Sequence, residues 1–222
     1  MTTASLFDDL AAPADIPIDP GAVLLPGFAL ADAPALLAAI DAVSATAPFR
    51  HMVTPGGFPM SVGTTSCGAL GWITDRRGYR YASADPETNR PWPAMPPLLQ
   101  RLAANAAARA GFAGFAPDAC LINRYAPGSK MALHQDRDEH DFTQPIVSVS
   151  LGLPAIFLWG GDARGDKARR VPLGHGDVVV WGGADRLRFH GVAPLKEGEH
   201  ARLGAQRHRL RRSLARRWCG EV

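Results

Sequence analysis

Residues 123–138 read NRYAPGSKMALHQDRD, and at their centre stands the triplet His134-Gln135-Asp136. On an extended segment alternate side chains share a face, so this imidazole and this carboxylate point the same way. With one distant histidine they make a 2-His-1-carboxylate set. Such a set holds Fe(II) on one face and leaves the other positions open for a co-substrate and dioxygen. The third ligand must come from another strand. His190, in LRFHGVAP, is the candidate, because it follows the apolar strand pattern Val178-Val179-Val180-Trp181. Structural zinc usually takes four ligands and more sulfur, so this donor set suits iron better.

A second triplet, His175-Gly176-Asp177, tests how much the spacing alone is worth. Gly174 and Gly176 flank its histidine, and Asp177 runs straight into VVVW, so it reads as a turn feeding a buried strand. The first triplet differs. Met131 and Leu133 alternate before it, which puts His134 and Asp136 on the opposite face.

Upstream and downstream, short apolar runs are spaced by Gly and Pro: 119–125, 146–151, 155–159, 169–173, 178–181 and 187–192. That spacing predicts a β sandwich or open barrel. Alternation in Val147-Ser148-Val149-Ser150-Leu151 predicts one buried face. Two helices precede the strands. One runs over 32–45, capped by Asp32, with Leu36, Ile40 and Val43 in one stripe. The other opens at Pro96 or Pro97 and runs to about Ala110, with Leu98, Leu99 and Leu102 buried and Gly111 closing it. Between them, 49–97 is irregular and rich in Gly, Pro and aromatics, as a binding loop or cap would be. Residues 1–20 read as a loosely ordered lead.

Composition narrows the class. The chain has 222 residues, 46% hydrophobic and 20% charged, as in soluble globular domains. The run 145–161 is broken by Ser148, Ser150, Gly152 and Pro154, so a membrane span is not expected. The acidic N-terminus lacks the basic segment of a secretory signal, and three scattered cysteines fit a reducing compartment; both favour the cytoplasm. Net charge is +3, but residues 201–222 alone carry seven arginines and one glutamate, which leaves −3 on the rest. Any attraction to a polyanion from net charge therefore rests on the tail.

Two further groups bear on chemistry. Asn123 and Tyr125 share a face of the strand before the triplet, with Arg124 pointing away. Their amide and hydroxyl can hold a co-substrate carboxylate or satisfy neighbouring backbone. Trp72, Tyr79 and Tyr81 lie among Arg76, Arg77 and Arg80. Aromatics stack on an extruded base and arginines meet phosphate; alternatively, these are packing rings and solvated charges.

The stretches NRYAPGSKMALHQDRDE, PIVSVSLGLPAIF, HGDVVVWGG and FHGV, with FRHMVTPGGFPMSVGTTSCGALGW and YASADPETNRPWPAMP before them, resemble the AlkB family of Fe(II)/2-oxoglutarate dioxygenases, closest to its bacterial DNA-repair members. The likeness covers about residues 20–200. It implies a mainly β fold with α: a double-stranded β-helix, or jelly roll, with an N-terminal nucleotide-recognition cap and two flanking helices. The single domain would span 21–200, with its cap about 49–97 and its core about 115–200. The resemblance implies oxidative dealkylation of bases such as 1-methyladenine and 3-methylcytosine in DNA, single strands above all, and in RNA as a further possibility. Succinate, carbon dioxide and an aldehyde would be released, and the protein would act as a monomer. The resemblance assigns iron to His134, Asp136 and His190, and 2-oxoglutarate to Asn123, Arg124 and Tyr125. It assigns the substrate to Trp72, Tyr79, Asp138 and Arg164.

The C-terminus departs from the family. Its last core strand carries RxNxxxxR, the first arginine pairing with the far carboxylate of 2-oxoglutarate. Counted from His190, that arginine is Arg207, but the Asn position holds Arg209 and the second arginine position holds Ser213. Little period-2 alternation marks 201–222 as a strand. Three readings stand: Arg207 serves with Arg211 as its partner, the tail is a basic arm on phosphate, or the segment is not the family's own. Two other functions compete accordingly. One is a dioxygenase acting on a protein or small molecule, the other a nucleic-acid-binding protein with impaired catalysis.

Overall fold

The computed structural model describes residues 13–139, 141–205 and 207–213, with the side chains of Arg209, Arg211, Arg212 and Ser213 excepted. The first twelve residues of the expected lead lie outside the description.

Thirteen strands and two α-helices follow one another among the described residues. They are β1 Ile16–Asp19, β2 Ala22–Leu25, α1 Ala33–Thr46, β3 Gly63–Gly68, β4 Gly71–Asp75, β5 Gly78–Ala82, α2 Pro97–Arg109, β6 Ala119–Tyr125, β7 Met131–His134, β8 Ile146–Gly152, β9 Ala155–Trp159, β10 Arg169–Leu173, β11 Val178–Trp181, β12 His190–Val192 and β13 Arg207–Ser213. A seven-stranded sheet runs β1-β2-β11-β8-β13-β6-β3 and a four-stranded sheet runs β10-β9-β12-β7. Every pairing in both is antiparallel. Two such sheets face to face are the expected jelly roll.

Both helices lie on the outer face of the large sheet. Leu36, Leu37, Ile40 and Val43 of α1 and Leu99, Leu102, Ala103, Ala106 and Ala107 of α2 meet Cys120, Ile122, Val147, Val149 and Leu151. The predicted stripes hold, except that Leu98 is only partly buried. Asp32 makes no side-chain cap, because it is itself in αR conformation, and α1 instead begins near a proline. Gly111, at φ +90°, ends α2 in the left-handed region. Between the sheets Ile18, Ile146, Phe157, Trp159, Val179 and Trp181 form a second core.

Three expectations need correction. The serine/valine alternation of β8 does not separate buried from exposed, since all its residues are buried. It separates an apolar face under the helices from a polar face turned into the sandwich, with Ser148 and Ser150 at 1% and 0% exposure. Residues 16–19 are not loose lead but β1, paired with β2 and contributing Ile18 to the inner core. Finally, Arg207–Ser213 is a strand at the centre of the large sheet, pairing with β6 on one side and β8 on the other. Two full hydrogen-bonded ladders hold β13 where its own sequence offers little apolar alternation.

The irregular 49–97 region contains one hairpin, β4–β5. Gly71 lies where a Cβ would come within 2.2 Å of the Trp92 ring, and Trp92 Nε1 donates to the Ala82 carbonyl at 3.0 Å. Arg50 and Asp85 form a buried two-pronged ion pair beneath it. The Arg50 guanidinium holds the Asp85 carboxyl below its usual range.

Candidate metal centre and base-recognition hairpin

His134 ends β7 and His190 begins β12, and the antiparallel register sets the two directly opposite each other. Gly191 permits the approach: a Cβ there would lie 2.6 Å from the Met131 carbonyl. Asp136 follows β7 by two residues and turns in beneath both rings. Its Oδ1 is 3.5 Å from His134 Nε2 and its Oδ2 is 3.3 Å from His190 Nε2. Potential ligand atoms of the three residues lie within 4.8 Å of one another, the only such group among the described residues. Separations of this size accommodate ligand bonds of about 2 Å to one shared ion.

Both imidazoles are oriented for coordination. His134 Nδ1 contacts the Ala132 carbonyl at 2.9 Å and His190 Nδ1 contacts the Arg188 carbonyl at 3.0 Å. A carbonyl only accepts, so each Nδ1 carries the proton and each Nε2 presents its lone pair. His190 Nε2 is buried without a hydrogen bond among the described residues. Trp181 and Phe157 back its ring at 4.9 and 6.0 Å. His134 is the open side of the site, its side chain 32% exposed. Buried imidazole nitrogen facing a buried carboxylate, with one wet edge, fits a ferrous ion that also takes exogenous ligands.

The second triplet behaves differently. His175 Nδ1 accepts from the Gly152 amide at 2.9 Å, and Asp177 accepts from the Gly27 and Gly174 amides at 2.8 and 2.7 Å. Its atoms are consumed by backbone, as the flanking glycines predict.

Asn123 and Tyr125 lie on the inner face of β6, at 3% and 0% exposure. Asn123 Oδ1 has no hydrogen-bond partner among the described residues, a buried polar atom that a ligand would satisfy. Arg207 sits opposite Tyr125 in the β13–β6 register and is 1% exposed, its Nη1 donating to the Leu153 and Leu173 carbonyls. A buried cation, an amide and a phenol on neighbouring strands suit a dicarboxylate. Arg211 falls opposite Leu121 and Ser148, and its side chain lies outside the described residues. Arg124 is the correction. Strand alternation turns it to the helix side, where its guanidinium stacks 4.4 Å over Phe49, away from Asn123 and Tyr125.

In the β4–β5 hairpin Trp72 and Tyr79 stack at 5.7 Å with 19° between ring planes. Trp72 Nε1 donates to Asp138 Oδ2 at 3.0 Å. Trp72 is buried, whereas Tyr79 is 48% exposed and free to meet a ligand. Arg164, in the β9–β10 loop, lies 5.5 Å over the Phe189 ring, next in sequence to His190. Arg80 and Arg77 both pair with Asp75 of the same hairpin, which holds that carboxyl far below its usual range. Sequence reading missed Arg186 and Glu139, a fully buried ion pair beside Asp136. Glu139 sits in the charged run RDEHD, which by composition reads as a solvated loop.

The profile of the 2OG-Fe(II) oxygenase superfamily matches residues 21–217. The chain is 56% identical to the alpha-ketoglutarate-dependent dioxygenase AlkB of Salmonella typhimurium over 205 residues, 92% of this chain and 94% of that one. It is 57% identical to the Escherichia coli protein of the same name over 195 residues, 88% and 90% of the two chains. A solved structure of OsALKBH1 superposes with a TM-score of 0.79 at 27% identity, over 90% of this chain and all of that one. The chain belongs to the AlkB family. It is an Fe(II)- and 2-oxoglutarate-dependent dioxygenase that oxidatively dealkylates nucleic acid bases.

Proposed function

We propose that this protein repairs DNA in the cytoplasm as a monomer, removing alkyl groups from ring nitrogens of bases such as 1-methyladenine and 3-methylcytosine, with single strands preferred. The observation that carries the proposal is the Trp72–Tyr79 stack with Asp138 hydrogen-bonded to its edge. Alkylation of a ring nitrogen fixes a positive charge on the base. An aromatic face and a nearby carboxylate both attract such a cation, and the attraction strengthens where water is excluded. Arg164, over Phe189 beside His190, is assigned as a further substrate contact. An unpaired strand spares the cost of extruding the base, on the order of a few kcal/mol.

His134, Asp136 and His190 are assigned to the ferrous ion. Asn123, Tyr125 and Arg207 are assigned to 2-oxoglutarate, with Arg211 as the second arginine of the clamp. When bound, Fe(II) and 2-oxoglutarate supply the oxidation, by which dioxygen hydroxylates the alkyl carbon while 2-oxoglutarate becomes succinate and carbon dioxide. The chain's own part is to fix the imidazoles by their Nδ1 protons, to seat the dicarboxylate between the sheets and to hold the base at the Trp72–Tyr79 stack. Residues 21–200 form the catalytic unit on this reading, with the cap at 49–97 and the core from 115. Strand β13 extends that core beyond residue 200. Because the stack and the carboxylate meet the base and not the sugar, RNA with the same lesion is the natural second substrate.

Incubation with single-stranded DNA containing 1-methyladenine, Fe(II) and 2-oxoglutarate tests this. Unmodified adenine and an equal amount of succinate are expected, with slower turnover in duplex DNA. Succinate formed with no change in any methylated base would point instead to a protein or small-molecule substrate.

A further inference from the structure

We infer that Arg186 and Glu139 are positioning residues, a buried pair that fixes the metal-ligating segment and the base-recognition hairpin to each other. The inference rests on the metal reading of His134, Asp136 and His190.

The need for such a device follows from the backbone. Strand β7 ends at His134, and residues 135–139 belong to no strand or helix, so no ladder fixes Asp136. Side-chain bonds to and from the segment preceding β12 do so. Gln135 Nε2 donates to the Leu187 carbonyl, and Arg186 Nη1 donates to the carbonyl of Asp136 itself at 3.3 Å. The same guanidinium donates through Nε to the Gln144 carbonyl at 2.9 Å and through Nη2 to Glu139 Oε2. Phe142 covers it at 5.4 Å. One planar fork thus grips three points of the chain after β7, two residues before the Arg188 carbonyl that orients His190.

Glu139 faces the other way as well. Its Oε1 accepts from the Tyr81 hydroxyl at 3.3 Å, while its neighbour Asp138 accepts from Trp72. Trp72 and Tyr81 are cross-strand partners in the hairpin. Two adjacent carboxylates therefore hold the two strands of the hairpin, and one of those carboxylates is locked to the arginine that holds Asp136. Both members of the pair are shielded from water, at 3% and 1% side-chain exposure. Removed from water, the charge-assisted bonds resist displacement, so the pair holds both the metal-ligating segment and the hairpin in place.

The test uses the full chain under anaerobic conditions with two binding measurements. Co(II) is titrated by its absorption, and a fluorescein-labelled single-stranded oligonucleotide with 1-methyladenine is titrated by anisotropy in the presence of Co(II) and 2-oxoglutarate. Arg186→Lys keeps the charge but cannot reach all three acceptors. It should weaken Co(II) binding threefold or more, within the roughly 10–100-fold range typical of groups that orient metal ligands. Tyr81→Phe and Glu139→Gln should weaken the oligonucleotide threefold or more, and Tyr81→Phe should leave Co(II) binding within twofold. A merely structural pair would lower the melting temperature and move neither affinity by as much as threefold, which would overturn the inference. Should Arg186→Lys fail to fold, Tyr81→Phe and Glu139→Gln decide by the same thresholds. His190→Ala is the control for the reading beneath. Co(II) binding that survives it removes the metal site itself, whereas Co(II) binding lost there but unchanged in Arg186→Lys removes only the positioning pair.

Discussion

Residues 134–136 and 175–177 carry the same His-x-Asp triplet and do opposite things. In the first, each imidazole Nδ1 is held by a carbonyl and the Nε2 atoms converge on Asp136. In the second, His175 and Asp177 spend their atoms on the amides of Gly152, Gly27 and Gly174. The difference lies in what the neighbouring backbone asks for. Beside a turn, unpaired N–H groups take the lone pairs first. At a strand pair, the ladder satisfies its own N–H groups and leaves the side chains to one another.

The comparison breaks most visibly in turnover. Asp136→Asn or His190→Ala should reduce demethylation of 1-methyladenine to the level seen without protein, while His175→Ala retains it, as product analysis by chromatography would register. Next in size is the co-substrate. Arg207→Met should weaken 2-oxoglutarate by about 2–5 kcal/mol, the cost of leaving a buried carboxylate without its partner, measured by calorimetry on the anaerobic Fe(II) protein.

A third histidine sharpens the contrast, because it is buried with neither role. His208 of β13 has both ring nitrogens without hydrogen bonds among the described residues and lies 5.5 Å from Phe49. Burial pushes it down to about 4, with help from Arg124 and against the pull of Asp41. Its ordinary value is about 6.5, so between those two values the unfolded chain binds more protons and stability rises with pH. That stability is fully present above about 6.5 and is lost as pH falls to about 4, amounting to roughly 3 kcal/mol. Denaturation of His208→Phe at pH 7.5 and 4.5 should show a flatter pH dependence. It will not be flat, because burial also lowers His175, with His200 and Arg207 adding to the effect in the same direction. The smallest change belongs to the second triplet. Asp177→Ala leaves the Gly27 and Gly174 amides unpaired and should cost about 1–3 kcal/mol in urea denaturation while leaving Fe(II) affinity unchanged.

Most of the fold was legible because β6, β8, β9 and β11 are largely apolar runs between Gly and Pro signals, and because α1 and α2 carry clean stripes. Strand β13 was not. RHRLRRS has one aliphatic residue, so no apolar alternation betrays it. Its stability comes from partners 55 to 94 residues away in sequence, and only the pairing makes them visible. The convergence of His134, Asp136 and His190 was legible from spacing and strand order. Arg124 came only with its motif, and the alternation of β6 turns its side chain from Asn123 and Tyr125, as its place on the strand predicts. Arg186 and Glu139 left no signal, since a contact across 47 residues between two charged loops has no period to read.

The most direct measurement is an anaerobic titration of Fe(II), with 2-oxoglutarate present, into the native chain, His190→Ala and His175→Ala. One ion per chain is predicted for the native protein and for His175→Ala, and none of comparable affinity for His190→Ala. Stoichiometric iron that survives His190→Ala, or that disappears only in His175→Ala, would contradict the account.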